Sequence, residues 1–201
     1  MSKVNDKAVT RRQVVSGVVG VAALFALGAG IKQSRSADGL IRPPGSLNES
    51  DFLARCLRCD RCRSVCHLEV IAVADFSNGL INVRTPYLNF HLGHCDFCGD
   101  CARVCPTQAI EAFDSDTVKV GVAKLTERCI GLRTGACRLC YDECEYKAIT
   151  LDSRNRPVIH PDKCNGCGLC VKICPANVLQ AFRDGSDRGI VIDPIQKEVR
   201  E

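Results

Sequence analysis

The chain contains no tryptophan, one methionine, seven phenylalanines and three tyrosines in 201 residues. A body of this length ordinarily fills its interior with large apolar side chains, so crosslinks or metal centres must replace part of that core. Also missing are a glycine-rich phosphate loop, a flavin or nicotinamide fingerprint and a Ser/His/Asp arrangement, and with them the usual signs of nucleotide-dependent or hydrolytic catalysis. Covalent haem needs C-x-x-C-H, and the nearest approach, Cys62 with Cys66-His67, has one residue too many. The radical-enzyme spacing C-x3-C-x2-C fails because Glu69 stands where its third cysteine would be. The four histidines, His67, His91, His94 and His160, are scattered and form no constellation of their own. Basicity gives nucleic-acid binding little support. The net charge of +4 resides in the first 36 residues, where Lys3, Lys7, Arg11, Arg12, Lys32 and Arg35 outweigh Asp6, and the remainder is net −1.

Cysteine is in excess: sixteen residues fall into four groups. The first is Cys56, Cys59, Cys62 and Cys66; the second is Cys95, Cys98, Cys101 and Cys105. The third is Cys129, Cys137, Cys140 and Cys144; the fourth is Cys164, Cys167, Cys170 and Cys174. Three groups obey C-x2-C-x2-C-x3-C, and the third has seven residues where two are usual. Thiolates at this spacing wrap a loop around one face of a [4Fe–4S] cube, while the fourth cysteine leaves on a short helix and ligates the neighbouring cube. Pro106 and Pro175, directly after a fourth cysteine, complete that run. Gly99, Gly166 and Gly168 suit the close approach of backbone to sulfur. Disulfides cannot pair three thiols within seven residues without strain, and structural zinc leaves the third and fourth cysteines unexplained. The expectation is therefore four [4Fe–4S] clusters, with all sixteen cysteines as ligands and no catalytic residue.

Two pairings are open. The groups can exchange fourth cysteines in chain order, or the second and third groups can nest inside the first and fourth. The long link between the first two groups favours nesting. That gives ligand sets Cys56, Cys59, Cys62, Cys174; Cys164, Cys167, Cys170, Cys66; Cys95, Cys98, Cys101, Cys144; and Cys129, Cys137, Cys140, Cys105. The expected fold class is α+β: two ferredoxin-like units, nested, preceded by an export leader and a linker. Arg55, Arg58, Arg61 and Arg63 surround the first group, whereas Asp96 and Asp100 lie in the second, so the first centre should have the higher potential. Phe97 and Tyr141 are expected to cover the cubes.

Residues 1–36 read as the leader. Arg11-Arg12 before a mildly apolar, glycine-broken run to Ile31 resembles a twin-arginine signal, which exports proteins already folded around their cofactors. Val14 and Val15 stand where Phe and Leu are common, and a retained membrane anchor is the alternative. Either reading places the body outside the cytoplasm. Residues 37–51, with Pro43-Pro44-Gly45, read as a linker, 52–182 as the double cluster domain with an inner unit near 90–152, and 183–201 as a tail. Short strands are expected at Val118–Leu125, Ala148–Leu151, Pro157–His160 and in the segments VLQAF and IVIDP, with a hairpin turn at 153–157.

The twin-arginine-like leader, IRPPGSLNESDFLARCLRC, TPY at 85–87 and the stretched third group together resemble the NapG/MauM family of ferredoxin-type proteins. The resemblance spans nearly the whole chain. It implies a periplasmic electron carrier between a membrane quinol dehydrogenase of the NapH type and a c-type cytochrome or molybdenum reductase. It also implies a fold like the iron–sulfur subunits of the dimethyl-sulfoxide-reductase family, which supports nesting. His67 and Glu145 depart from the proline often found after the fourth cysteine. The alternative is a permanently bound iron–sulfur subunit of a molybdopterin oxidoreductase.

Overall fold

A computed structural model describes residues 39–176 and 188–195. The leader at 1–36 and the expected strand VLQAF lie outside the described residues. Among the described residues, no helix is long and apolar enough to cross a membrane.

The elements are short. Helix α1 spans Glu49–Arg55, and Asn48 caps it by accepting from the Asp51 N–H. Four single-turn helices follow the cysteine runs: α2 (Arg61–Ser64), α3 (Asp100–Arg103), α5 (Leu139–Asp142) and α6 (Leu169–Lys172). Each carries the third cysteine of its group and ends before the fourth. The stretched loop of the third group contains one more turn, α4, at Ile130–Thr134. Helix α2 packs on α3, and α5 packs on α6.

Three antiparallel two-stranded ribbons join these turns. Strand β1 (Ile71–Val73) pairs with β2 (Pro86–Leu88), β3 (Gly121–Leu125) with β6 (Ile190–Pro194), and β4 (Ile149–Leu151) with β5 (Pro157–Ile159). The β4–β5 turn is the expected one, closed by the Asp152 carboxylate, which accepts from the N–H groups of Arg154 and Arg156. The IVIDP segment, expected in a tail, is β6 and completes the ribbon with β3.

The linker expectation is corrected from Gly39 onward. Residues 39–51 belong to the compact unit, and Arg42, Pro43, Pro44 and Ser46 are buried. The Arg42 guanidinium donates to Glu49, to Thr85 Oγ1 at 2.8 Å, to the Pro86 carbonyl at 2.9 Å and to Asn82 Oδ1 at 3.0 Å. It also lies 4.7 Å above the ring of Phe52, which is fully buried. A buried cation is tolerated only when its donors are satisfied, and here three side chains and a carbonyl do so. The Leu47 N–H donates to the Ala109 carbonyl and the Leu88 N–H to that of Ile41, so the diproline stretch is an integral edge of the first half.

Candidate metal-cluster sites

The cysteine loops share one backbone solution. In the first, second and fourth groups the residue before the second cysteine and the residue after it have positive φ. These are Arg58 (54°) and Asp60 (61°), Phe97 (60°) and Gly99 (78°), and Gly166 (81°) and Gly168 (81°). The chain thus reverses handedness around the second cysteine and brings the three cysteines of each loop to one site. Three residues after the fourth cysteine a further left-handed residue appears, at Glu69, Gln108 and Lys147. Glycine reaches this region freely; other residues there carry strain of about 1–2 kcal/mol. The loop glycines therefore serve handedness: a Cβ at Gly99 would meet nothing within 4 Å, and one at Gly166 or Gly168 would meet Gly121 or Phe90 and not a sulfur.

Four cysteine clusters result. Cys56, Cys59, Cys62 and Cys105 line one recess, together with Phe52 and Ile110. Cys129, Cys137, Cys140 and Cys174 line another, with Leu125 and Ile190. Cys66 lies close enough to Cys95, Cys98 and Cys101 for its charge to raise all three thiols. Cys144 acts likewise on Cys167 and Cys170, which also feel Cys164. The fourth cysteines are thus exchanged in chain order, first group with second and third with fourth. The nested sets, which put Cys174 with Cys56, Cys66 with Cys164, Cys144 with Cys95 and Cys105 with Cys129, are not brought together. The physical reason is the pairing of α2 with α3 and of α5 with α6, each of which delivers its fourth cysteine across to its partner's loop.

Burial, reinforced by neighbouring sulfurs, pushes Cys62, Cys95 and Cys140 up to about 12 and Cys101 and Cys167 up to about 11. Cys170 is raised for the same reasons. Four crowded, desolvated thiols ionise together only when a positive centre compensates them. Some thiolate stabilisation is built in. The Ala123 N–H donates to Cys164 Sγ at 3.4 Å and the Ala148 N–H to Cys144 Sγ at 3.3 Å. At Cys105 burial acts upward, but the Ile110, Thr107 and Ala109 N–H groups and the Thr107 hydroxyl together bring the thiol below its ordinary value. The sixteen cysteines are all free of disulfides. Tetracysteine nests with N–H groups aimed at sulfur fit [4Fe–4S] cubes.

The two halves meet at their sites. The Cys95 N–H donates to the Cys167 carbonyl at 2.8 Å. Beside this bond Tyr146 feels both Cys95 and Cys167 and stands edge-on to Phe97, with ring centroids 6.5 Å apart. Phe97 is buried, and Tyr141 is 41% exposed. Tyr146 stands with Phe97 at the junction. No motif marked it; its only signal was its nearness to Cys144 in sequence. Asp96 faces His67, with 3.0 Å between Oδ2 and Nε2, and Asp100 pairs with Arg103. His160 meets Thr150 Oγ1 at 2.8 Å, apart from the sulfurs.

Cysteine loops with exchanged fourth ligands define a ferredoxin-type iron–sulfur protein with two dicluster halves. The 4Fe-4S dicluster domain family matches residues 55–110 and, through a second family of the same description, residues 128–178. Both intervals join neighbouring groups, in agreement with the geometry. The ferredoxin-type protein NapG of Escherichia coli is 35% identical over 182 residues, covering 81% of this chain and 78% of that protein. The methylamine utilization ferredoxin-type protein MauM of Paracoccus denitrificans is 35% identical over 188 residues, 83% of each chain. The ferredoxin-type protein NapF of Escherichia coli is 33% identical over 153 residues, 73% of this chain and 87% of that one. No solved structure matches. The chain belongs to the NapG/MauM family of ferredoxin-type proteins.

Proposed function

We propose that this chain is an exported electron carrier with four [4Fe–4S] clusters, relaying single electrons from a membrane quinol dehydrogenase of the NapH type to a periplasmic c-type cytochrome or molybdenum reductase. The observation that carries the reading is the convergence of all sixteen cysteines into four sets. The ligands are Cys56, Cys59, Cys62, Cys105; Cys66, Cys95, Cys98, Cys101; Cys129, Cys137, Cys140, Cys174; and Cys144, Cys164, Cys167, Cys170. Each cube supplies one reversible electron. The chain supplies everything else. Its left-handed loops aim the thiolates, its short helices hold the two sites of each half together, and the Ala123 and Ala148 N–H groups stabilise charge on sulfur. The influence of Cys101 on Cys62 and of Cys140 on Cys170 makes neighbours of the paired sites. The Cys95–Cys167 contact then orders the path as first group, second, fourth, third.

No substrate pocket is required, and the chain acts as a carrier rather than as an enzyme. Export by the twin-arginine machinery, with clusters already inserted, agrees with the Arg11-Arg12 leader. The test is anaerobic purification together with membrane neighbours, followed by iron analysis and EPR-monitored potentiometry. About sixteen iron atoms per chain and four interacting cubane signals are expected. Fewer than four, or a colourless protein held by cystines, overturns the proposal.

A further inference from the structure

The first site opens onto an exposed apolar surface. Cys59 is exposed, and Leu57 beside it is 66% exposed. The segment 75–84 lies against this loop. Arg58 donates to the Ile81 carbonyl at 3.0 Å, and Arg84 pairs with Asp60 at 3.0 Å. The segment presents Phe76, 74% exposed, and Leu80, 66% exposed. Both anchors come from left-handed residues that are not glycine, at the positions where the fourth group has Gly166 and Gly168. Backbone strain is thus retained to hold an apolar segment beside an exposed cluster ligand.

Charge sharpens the contrast. Arg55, Arg61 and Arg63 are exposed, and their side chains make no hydrogen bond or ion pair among the described residues. The nearby anions are engaged: Asp60 by Arg84, and Asp75 by the Ser77 N–H and hydroxyl. The chain after residue 36 is net −1, and each oxidised cube with four thiolates adds about −2. A basic, apolar port on an otherwise anionic body steers an acidic partner toward one centre and away from the others.

Resting on the electron-carrier reading, we infer that the surface formed by Leu57, Phe76, Leu80, Arg55, Arg61 and Arg63 docks a redox protein with an acidic surface around its cofactor, and that electrons cross there through the first site. In each transfer one centre loses one electron and the other gains it; no bond or proton changes hands. A lipid surface fits less well, because a lipid has no acceptor to place beside the exposed Cys59.

The probes are ferric cytochrome c and its lysine-succinylated, acidic form. The proteins are the holo chain, Arg61→Glu/Arg63→Glu, Phe76→Ala/Leu80→Ala and a charge-matched control in the second half, Lys124→Glu/Arg154→Glu. Iron content and EPR signals are recorded first; their absence from the unaltered chain defeats the carrier reading itself. With clusters intact, stopped flow and calorimetric titration are run at low salt. Arg61→Glu/Arg63→Glu should slow reduction of the acidic probe about ten-fold and weaken its binding, well beyond the control, and added salt should erase the difference. The Phe76→Ala/Leu80→Ala variant should weaken binding with little change in salt dependence. Equal behaviour of the 61/63 variant and the control overturns the proposal. So does binding to phosphatidylglycerol vesicles that needs Arg61, Arg63 and Phe76 while the acidic probe ignores them, which would make the surface a membrane contact.

Discussion

Gly166→Ala separates two costs that the cysteine loops combine. At Gly166, φ is +81°, and an added Cβ would stand 2.6 Å from both the nitrogen and the oxygen of Gly121. Those are main-chain atoms of β3, short of ordinary contact by roughly 1 Å. The ribbon must therefore move, and with it the Ala123 N–H that reaches Cys164 Sγ. Gly99 is the internal control: φ is +78°, and nothing lies within 4 Å of its Cβ position. Gly99→Ala should cost only the left-handed strain, about 1–2 kcal/mol. Gly166→Ala adds overpacking of about 1–3 kcal/mol. The assay is anaerobic loss of the visible iron–sulfur absorbance in guanidinium, a rate because such unfolding is irreversible. If the clash is relieved on the way to unfolding, Gly166→Ala bleaches roughly five- to a hundredfold faster than Gly99→Ala. Equal bleaching rates for the two variants would refute the close approach of the fourth loop to β3.

Ligand exchange in chain order is tested by pairs of variants: Cys66→Ser should alter the same EPR signal as Cys98→Ser and leave that of Cys167→Ser untouched, whereas nesting requires the reverse. The first centre should have a higher potential than the second, and Arg61→Gln/Arg63→Gln should lower it by on the order of tens of millivolts in a redox titration. Asp152 is held below its ordinary value by the Arg156 N–H and side chain and by the Arg154 N–H. A depressed carboxyl stabilises above its unfolded value, near 4, and loses that contribution as pH falls through the folded value. Amide exchange in the β4–β5 ribbon should therefore distinguish Asp152→Asn from the unaltered chain at neutral pH and converge with it in acid.

The cysteine loops were legible because their spacing is local: each loop is encoded within a dozen residues, and α2, α3, α5 and α6 follow from it. The partner of each loop was not. The long stretch between Cys66 and Cys95 suggested an insertion, yet β1, β2 and segment 75–84 fold it back beside the first loop, so a long link in sequence spans little distance in space. The diproline stretch read as a spacer because its fixity comes from Arg42, whose partners at Glu49, Asn82, Thr85 and Pro86 are dispersed along the chain. Strand β3 was visible, but its partner β6 begins more than sixty residues later, beyond the reach of any local pattern.

The hydrogen bond from Cys95 to Cys167 has a consequence for descent. It joins peptide groups, and every amino acid except proline offers the same donor. The two residues that make it are already constrained by their sulfurs. The halves are thus free to drift apart in surface, charge and partner while the backbone joint between them stays where it is.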